Sequence, residues 1–470
     1  MSMQFYVHQF NTPSISQYAY YVDSKNEALI VDPVRDIDQY LETLSQRKSK
    51  LKYIFLTHFH ADFVSGHVEL AKQTGATIVL GPNAVADFKF KEAKDNERFQ
   101  IGDLKLKVIH TPGHTPESSC FVLKNNEGHK HCIFTGDTLF LGDVGRPDLA
   151  TSEAKHITKE DLAALLFDSL KKFKDVKEYP DDLIVYPGHG AGSPCGKDLS
   201  NANSCVMKNQ RKNNYAMVID KKEEFVKSLI HNLPDPPQYF FFDAKLNKSK
   251  DIEGFNKVVS KNFKPIKPDN FNSIQAKGDN LILDTRDHQT VLNEGFISGS
   301  INISLIERFE IWTGTLIAPM RRLLLLNSIS HDQDVIKKLA MIGYDNVEGF
   351  LEGGFDAWKS KNFPITKMNT IKHEDVPKFL NKPKSIILDV RERPEWEQGV
   401  LPNSMFITIR TLEKNLQNVP KDKDVYTLCR GGVRSQMAAT ILMKHGFKNI
   451  INLEGGMLKI LEKGVKLIPK

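Results

Sequence analysis

Thr57-His58-Phe59-His60-Ala61-Asp62-Phe63 decides how this chain is read. It follows the apolar run Tyr53 to Leu56, so it lies where a buried strand empties into a loop, the place where a rigid scaffold displays reactive side chains. Three metal-binding side chains, His58, His60 and Asp62, alternate there and gather at one spot. Three more polar clusters follow β-like runs: His114 in Thr111-Pro112-Gly113-His114-Thr115, Asp137 in Phe134-Thr135-Gly136-Asp137-Thr138, and His189 in Tyr186-Pro187-Gly188-His189-Gly190. A solitary histidine is ordinarily a packing or surface residue, and His8 and His288 are read that way. Four clusters, each bounded by Gly or Thr at a strand exit, point to a metal centre.

At 470 residues the chain exceeds what one hydrophobic core supports, and two to four domains are expected. A composition that is 40% hydrophobic and 26% charged is that of an ordinary globular protein. No apolar run approaches the roughly 20 residues needed to span a bilayer, so no membrane partner is expected. Met1-Ser2-Met3-Gln4-Phe5 lacks the basic and apolar segments of a secretory signal. Five thinly spread cysteines, Cys120, Cys132, Cys195, Cys205 and Cys429, suit reduced thiols in a cytoplasmic protein. The net charge of +6 rests on dispersed lysines, which helps attract small anions but leaves no nucleic-acid footprint.

Over the first 230 or so residues, Ala28 to Val31, Tyr53 to Leu56, Thr77 to Leu80, Leu104 to Ile109, Cys132 to Thr135 and Leu183 to Tyr186 read as strands. Leu233-Pro234-Asp235-Pro236-Pro237 breaks the helix through Phe225 to His231, and a lysine-rich connector follows up to Pro265-Ile266-Lys267-Pro268. Beyond it lies an internal repeat. Leu281-Ile282-Leu283-Asp284-Thr285-Arg286 is echoed by Ile387-Leu388-Asp389-Val390-Arg391, Gly343-Tyr344-Asp345-Asn346-Val347 by Gly446-Phe447-Lys448-Asn449-Ile450, and Leu351-Glu352-Gly353-Gly354 by Leu453-Glu454-Gly455-Gly456. The offsets of 105, 103 and 102 residues make each copy a small domain, and strands alternating with helices such as Ser435 to His445 predict parallel α/β sheets. The expected division is 1–262, 263–366 and 367–470.

The metal-ligand clusters resemble the metallo-β-lactamase superfamily. That resemblance implies an α/β fold: an N-terminal αβ/βα sandwich with its metal at the ends of two sheets. The family's strongest motif reads His-x-His-x-Asp-His, and Phe63 stands here at its last position, with His67 four residues late for the same role. In two-metal members that histidine, the motif's Asp and a residue matching His189 hold the second metal, so its loss implies one metal per chain. By the family pattern that metal takes His58, His114 and Asp137, with His60, Asp62 and His189 close by. Two imidazoles and a carboxylate suit Fe(II) and oxygen chemistry, and the same set also serves hydrolytic zinc. The segment Gly136-Asp137-Thr138-Leu139-Phe140-Leu141-Gly142-Asp143-Val144-Gly145-Arg146-Pro147-Asp148-Leu149 resembles the persulfide dioxygenase branch. Arg146 is placed either against the anionic part of a thiol substrate or in a structural pair with Asp143 or Asp148.

Cys429-Arg430-Gly431-Gly432-Val433-Arg434-Ser435 follows the strand-like Val425-Tyr426-Thr427-Leu428 and opens a helix. A cysteine there faces backbone N–H groups and the helix dipole, and Arg430 and Arg434 add positive charge, which favours the thiolate. The loop is similar to that of rhodanese sulfurtransferases, and two rhodanese-like α/β domains with parallel sheets are implied, with Cys429, Arg430 and Arg434 as catalytic residues. In the middle copy, ungapped alignment through Gly343 and Gly446 sets Leu326 at the position of Cys429, followed by Asn327-Ser328-Ile329-Ser330-His331. Cys195 and Cys205 are each open to two readings, an accessory sulfur-accepting thiol near the metal or a packed residue, whereas Cys120 and Cys132 belong to apolar strands.

Taken whole, the chain resembles bacterial fusions of a persulfide dioxygenase to tandem rhodanese domains (CstB-type). The resemblance implies a bifunctional sulfide-detoxification enzyme. One Fe(II) per chain would serve oxidation of a low-molecular-weight thiol persulfide (glutathione, coenzyme A or bacillithiol type) with O2 to sulfite and thiol. Cys429 would pass sulfane sulfur to sulfite, giving thiosulfate, and fusion raises the effective concentration of sulfite near its acceptor. A homo-oligomer is expected. The alternatives are a zinc thioester hydrolase of the glyoxalase II kind with an attached sulfurtransferase, and a sulfur carrier or redox sensor with a structural metal. The middle copy is expected to carry no persulfide: residues 263–366 expressed alone should take up no label in a sulfane-sulfur assay.

Overall fold

The computed structural model describes residues 5–149, 157–197, 199–306, 308–328, 330–372, 375 and 384–469. The first four residues and Ile329 of the middle loop lie outside the described residues. The chain forms two compact units, Met1–Val258 with Ala340–Gly343, and Val259–Leu339 with Tyr344–Lys470.

The first unit holds two six-stranded sheets. One runs Phe5–Thr12, Gln17–Ser24, Glu27–Val31, Lys50–Phe55, Thr77–Leu80, Lys91–Glu92; its first three strands are antiparallel and the rest parallel. The other runs Arg98–Ile101, Leu104–His110, Ser119–Asn125, Lys130–Gly136, Ile184–Pro187, Cys205–Val206, antiparallel except between Lys130–Gly136 and Ile184–Pro187. Period-two alternation sorts their side chains. Leu104, Leu106, Val108, Phe121, Leu123 and Phe134 meet Tyr20, Val22, Leu29, Val31 and Phe55 between the sheets. The intervening Ile109, Val122 and Ile133 point outward, under Leu166 and Leu170 of the helix Lys159–Lys172. That helix starts on a capping box between Thr158 and Asp161. The result is the expected αβ/βα sandwich.

The connector is not a bare linker. It contains the helices Gln238–Leu246 and Phe255–Asn262. Pro237 precedes the first of them, where a missing N–H breaks no bond, and Tyr239 and Phe240 are fully buried, so burial of aromatic area stabilises a segment that lysine content alone misrepresents. The second helix straddles the division between the units, four residues before the expected boundary at 262.

The second unit contains two five-stranded sheets, all parallel, with the same order of strands. In the first copy the order is Pro265–Ile266, Val347–Leu351, Leu323–Leu326, Leu281–Asp284, Ile301–Asn302. In the second it is Asn369–Ile371, Ile450–Leu453, Asp424–Leu428, Ser385–Asp389, Ser404–Phe406. Central strands such as Leu323–Leu326 are buried on both faces, which is why they read as continuous apolar runs. Gln436 joins the copies, its Nε2 donating to Asn302 Oδ1 and to the His288 carbonyl at 2.9 and 3.0 Å.

Strand register corrects one detail of the repeat. Asp284 pairs with Leu326, as Asp389 pairs with Leu428, so the residue matching Cys429 is Asn327 and not Leu326. The ungapped alignment slipped by one because it was anchored on the glycines after the helices, and Asp332–Met341 is shorter than Val433–Lys444. Asn327 is buried and pinned, accepting from Thr285 Oγ1 at 2.9 Å and donating to Asp332 at 2.8 Å, and it offers no thiol. Among the described residues no helix is long and apolar enough to cross a membrane.

The repeated Asp-x-Arg motif is a buried ion pair in both copies. Arg391 holds Asp389 through Nε at 3.0 Å and Nη2 at 2.7 Å, and Arg286 holds Asp284 through Nε at 2.9 Å and Nη2 at 2.6 Å. Removing one partner leaves an uncompensated charge. Asp389→Ala is therefore expected to destabilise the second unit by about 3–5 kcal/mol, read as a lowered urea midpoint of the transition that carries Trp358 and Trp396 fluorescence.

Candidate functional site

The metal centre is built on a buried carboxylate in strained backbone. Asp32 ends the strand Glu27–Val31 with φ of +52°, a left-handed conformation that non-glycine residues adopt rarely. Its two oxygens accept from Thr57 N–H and Thr57 Oγ1, both at 2.8 Å. Because the Thr57 hydroxyl donates to Asp32, its oxygen accepts from His58 Nδ1–H at 2.9 Å. That fixes the His58 tautomer and leaves Nε2 as a lone-pair donor. His114 is fixed in the same way: Nδ1 donates to the Arg146 carbonyl at 2.7 Å. His189 Nδ1 donates to Asp137 Oδ1 at 2.8 Å.

Asp137 completes the set. Its Oδ2 has no hydrogen-bond partner and lies 3.8 Å from His58 Nε2 and 3.5 Å from His114 Nε2. The ligand atoms of His58, His114 and Asp137 come within 4.8 Å of one another, all buried. An orphaned carboxylate oxygen and two imidazole lone pairs aimed at a shared point fit a divalent cation. Burial alone would raise the Asp137 carboxyl, but His189, His58 and His114 outweigh it and hold the group ionised. Burial, with His60 beside it, pushes His58 well down, so it is a neutral imidazole. Glycines give the ligands room: a Cβ at Gly188 would meet Asp137 Oδ1 at 2.6 Å, and one at Gly145 would meet His114 Nδ1 at 2.8 Å.

The remaining motif residues divide. His60 lies 3.1 Å from Asp32 Oδ1, and the Phe63 ring packs on it with centroids 4.4 Å apart. His67 is buried against Phe88 and stands outside the ligand group. Asp62, His189 and Cys195 form a second buried group of potential ligand atoms within 4.8 Å of one another. Burial lowers His189, yet the Asp137 and Asp62 carboxylates override it and raise its pKa. Burial, reinforced by the same carboxylates, pushes the Cys195 thiol well up. Cys205 is not in this group. It is half-buried on the edge strand Cys205–Val206, with Gln210 Nε2 donating to its sulfur at 3.2 Å. Cys120 and Cys132 are core residues.

Arg146 pairs with Asp148, the second of the two partners expected for it. Its guanidinium is buried and grips Asp148 through two bonds of 2.7 Å, and it also donates to the Pro234 and Pro194 carbonyls. The pocket that reaches the metal site lies elsewhere. About 240 Å³ in volume, it is lined by His114, Phe59, Glu117, Leu149, Phe241 and Lys248, among others. Phe241 and Lys248 come from the stretch read as a connector, and the aromatic run Gln238-Tyr239-Phe240-Phe241-Phe242 was the signal for them. Asn247, from the same stretch, ties down the motif loop by donating to the His60 and Phe63 carbonyls at 2.8 Å each.

In the second unit Cys429 sits buried at the start of its loop, and the Gly432 N–H donates to Sγ at 3.0 Å. Gly432, at φ of +102°, turns the chain into the helix Val433–Lys444. Arg434 makes a bidentate pair with Glu395 at 2.6 and 2.8 Å, and Arg430 is exposed. A pocket of about 160 Å³ beside the loop is lined by Gly431, Gly432, Asn452 and Lys459, and by His288 and Gln289 of the cysteine-less copy.

Comparison with known proteins matches residues 14–189 to the metallo-beta-lactamase superfamily, and residues 267–361 and 372–463 to the rhodanese-like domain. A probable polyketide biosynthesis zinc-dependent hydrolase of Bacillus velezensis is 30% identical over 235 residues, 48% of this chain and 93% of that protein. A hydroxyacylglutathione hydrolase of Tolumonas auensis is 34% identical over 176 residues, 37% of this chain and 60% of the relative. Among solved structures, a metallo-beta-lactamase from Staphylococcus aureus subsp. aureus COL aligns with a TM-score of 0.65 at 29% identity, covering 74% of this chain and 98% of that one.

Asp32 ligates nothing itself but orders the site through Thr57. Asp32→Ala is expected to weaken divalent metal binding about 10- to 100-fold, measured by competition with a chelator on the full chain.

Proposed function

The chain belongs to the metallo-beta-lactamase superfamily through its N-terminal part and carries two rhodanese-like domains, and from that premise we propose that it is a persulfide dioxygenase joined to a sulfurtransferase. The observation that carries this reading is the pairing, on one chain, of a His/His/Asp centre with an intact Cys429 loop. The reaction at the first centre is R–SSH + O2 + H2O giving R–SH and sulfite. The sulfane sulfur is oxidised and O2 takes the electrons. His58, His114 and Asp137 would hold one Fe(II), which would supply the redox centre that such a reaction with O2 requires.

The protein's own part is positioning. Asp32 and Thr57 hold His58, and the Arg146 carbonyl holds His114, so both present Nε2 without reorientation. Burial of the three ligands keeps bulk water from the reacting sulfur. The pocket ending at His114 takes the thiol carrier, with Phe59, Leu149 and Phe241 against its apolar atoms and Lys248 toward an anionic group.

We assign the sulfurtransferase to residues 367–470. Cys429 Sγ attacks the sulfane sulfur of a second persulfide, the S–S bond to the carrier breaks, and the carrier leaves as thiol. Sulfite then takes that sulfur, releasing Cys429 and forming thiosulfate. The Gly432 N–H supports negative charge on sulfur throughout. Residues 263–366, with Asn327 at the equivalent position, serve as a wall of the neighbouring pocket.

A second reading, a zinc thioester hydrolase, draws on the hydrolases among the relatives. The two separate in oxygen uptake. Iron-loaded protein should consume O2 with glutathione or coenzyme A persulfide; Asp137→Ala should abolish this while leaving Cys429-dependent transfer, and Cys429→Ser should do the reverse. Absence of O2 uptake by the iron-loaded wild type overturns the proposal.

A further inference from the structure

The pocket of about 160 Å³ beside the Cys429 loop has a wall chemistry that sulfur transfer by itself does not call for. Of the loop only Gly431 and Gly432 reach that wall, and neither Arg430 nor Arg434 does. The Gly432 N–H is the donor to Cys429 Sγ, so the space adjoins the reactive sulfur without containing it. It suits a part of the sulfur carrier other than its sulfur.

Gln436 forms one side of the pocket. It is 1% exposed and its amide is fixed in one orientation, Nε2 donating to the His288 carbonyl at 3.0 Å and to Asn302 Oδ1 at 2.9 Å. With its N–H groups used, Oε1 is left over, and it has no partner. Asn452 is also 1% exposed, and its Oδ1 has no partner either. Buried acceptors without donors are costly in a protein interior unless a ligand supplies them. Glu454 stands on the same wall and makes no ion pair among the described residues. The basic groups there are answered nearby: Glu462 holds Lys459 Nζ at 2.8 and 3.0 Å, and His288 Nδ1 lies 3.4 Å from Asp287 Oδ2.

We propose that this pocket selects sulfur carriers bearing an ammonium group, the persulfides of amino-thiols. Gln436 Oε1 and Asn452 Oδ1 accept its N–H bonds, and the Glu454 carboxylate balances its charge. An ammonium carries donors and no acceptor, which matches two amide oxygens and a carboxylate. A pocket made for sulfite or another anion would present donors, and a carrier without the ammonium leaves both amide oxygens unpaired. The cysteine-less copy thereby has a part in recognition, because its His288 carbonyl and Asn302 keep the Gln436 amide from turning its nitrogen toward the ligand. The assignment rests on the sulfurtransferase reading of Cys429 and names the class of carrier that site accepts.

The test follows loading of Cys429 in the full-length protein, trapped with an alkylating reagent and read by peptide mass. The two donors are cysteine persulfide and N-acetylcysteine persulfide, whose amine is capped as a neutral amide. Each rate is divided by that of the same persulfide with a small free thiol, which removes the difference in leaving group. Wild type should load from the ammonium-bearing donor roughly tenfold or more faster, and Glu454→Gln should narrow that ratio. The comparison in wild type needs no variant, so it stands if the substitution disturbs folding. Equal corrected rates in wild type, or a ratio that folded Glu454→Gln leaves unchanged, overturns the proposal and leaves the sulfurtransferase reading in place. No loading from either donor overturns both.

Discussion

Everything at the metal centre depends on burying the carboxylate of Asp137 between the ends of two sheets. At 1% exposure its charge has no water to solvate it, so neighbouring groups must do so. Oδ1 takes the His189 N–H, and Oδ2 is left facing His58 and His114. The division of one carboxylate between two directions places a candidate cation-binding point on one side and His189 on the other. His58, His114 and His189 are each oriented by the atom behind them: the Thr57 hydroxyl, the Arg146 carbonyl and Asp137 itself.

The second unit solves a similar problem with different means. Its Cys429 sulfur accepts from the Gly432 N–H at the start of a helix, where the first unit gathers imidazoles around a carboxylate. Duplication preserved the buried Asp–Arg pair in both copies but not the reactive sulfur. The pair ties the end of an inner strand to the Gly295 or Gly399 carbonyl beyond the next helix, a need that any copy of the fold retains. At the position of Cys429 the first copy carries Asn327, a hydrogen-bonded plug.

Much of the architecture was legible because it is local. Six strands of the first unit lie within one to three residues of the expected positions at each end, since apolar runs closed by His, Gly or Asp mark strand exits. Gln17–Ser24 was missed because it is buried along its whole length while carrying Gln, Asp and Ser, so neither alternation nor an apolar run marks it. The helices within the connector were obscured by lysines that lie on their exposed faces. The one-residue slip at Leu326 came from anchoring on glycines that follow helices of different length, which strand register reveals.

The sequence by itself determined the residue types in the four clusters, the missing histidine at Phe63, the repeat and the absence of a cysteine from its first copy. These follow from residue identity and from spacing along a strand or turn. Only the tertiary structure decided that Asp32 backs the site through Thr57, that Arg146 pairs with Asp148, and that Cys195 lies with Asp62 and His189. Those groups come from segments far apart in the chain. Their meeting depends on how two twisted sheets stack and how the loops at their ends close, distances that no local pattern encodes.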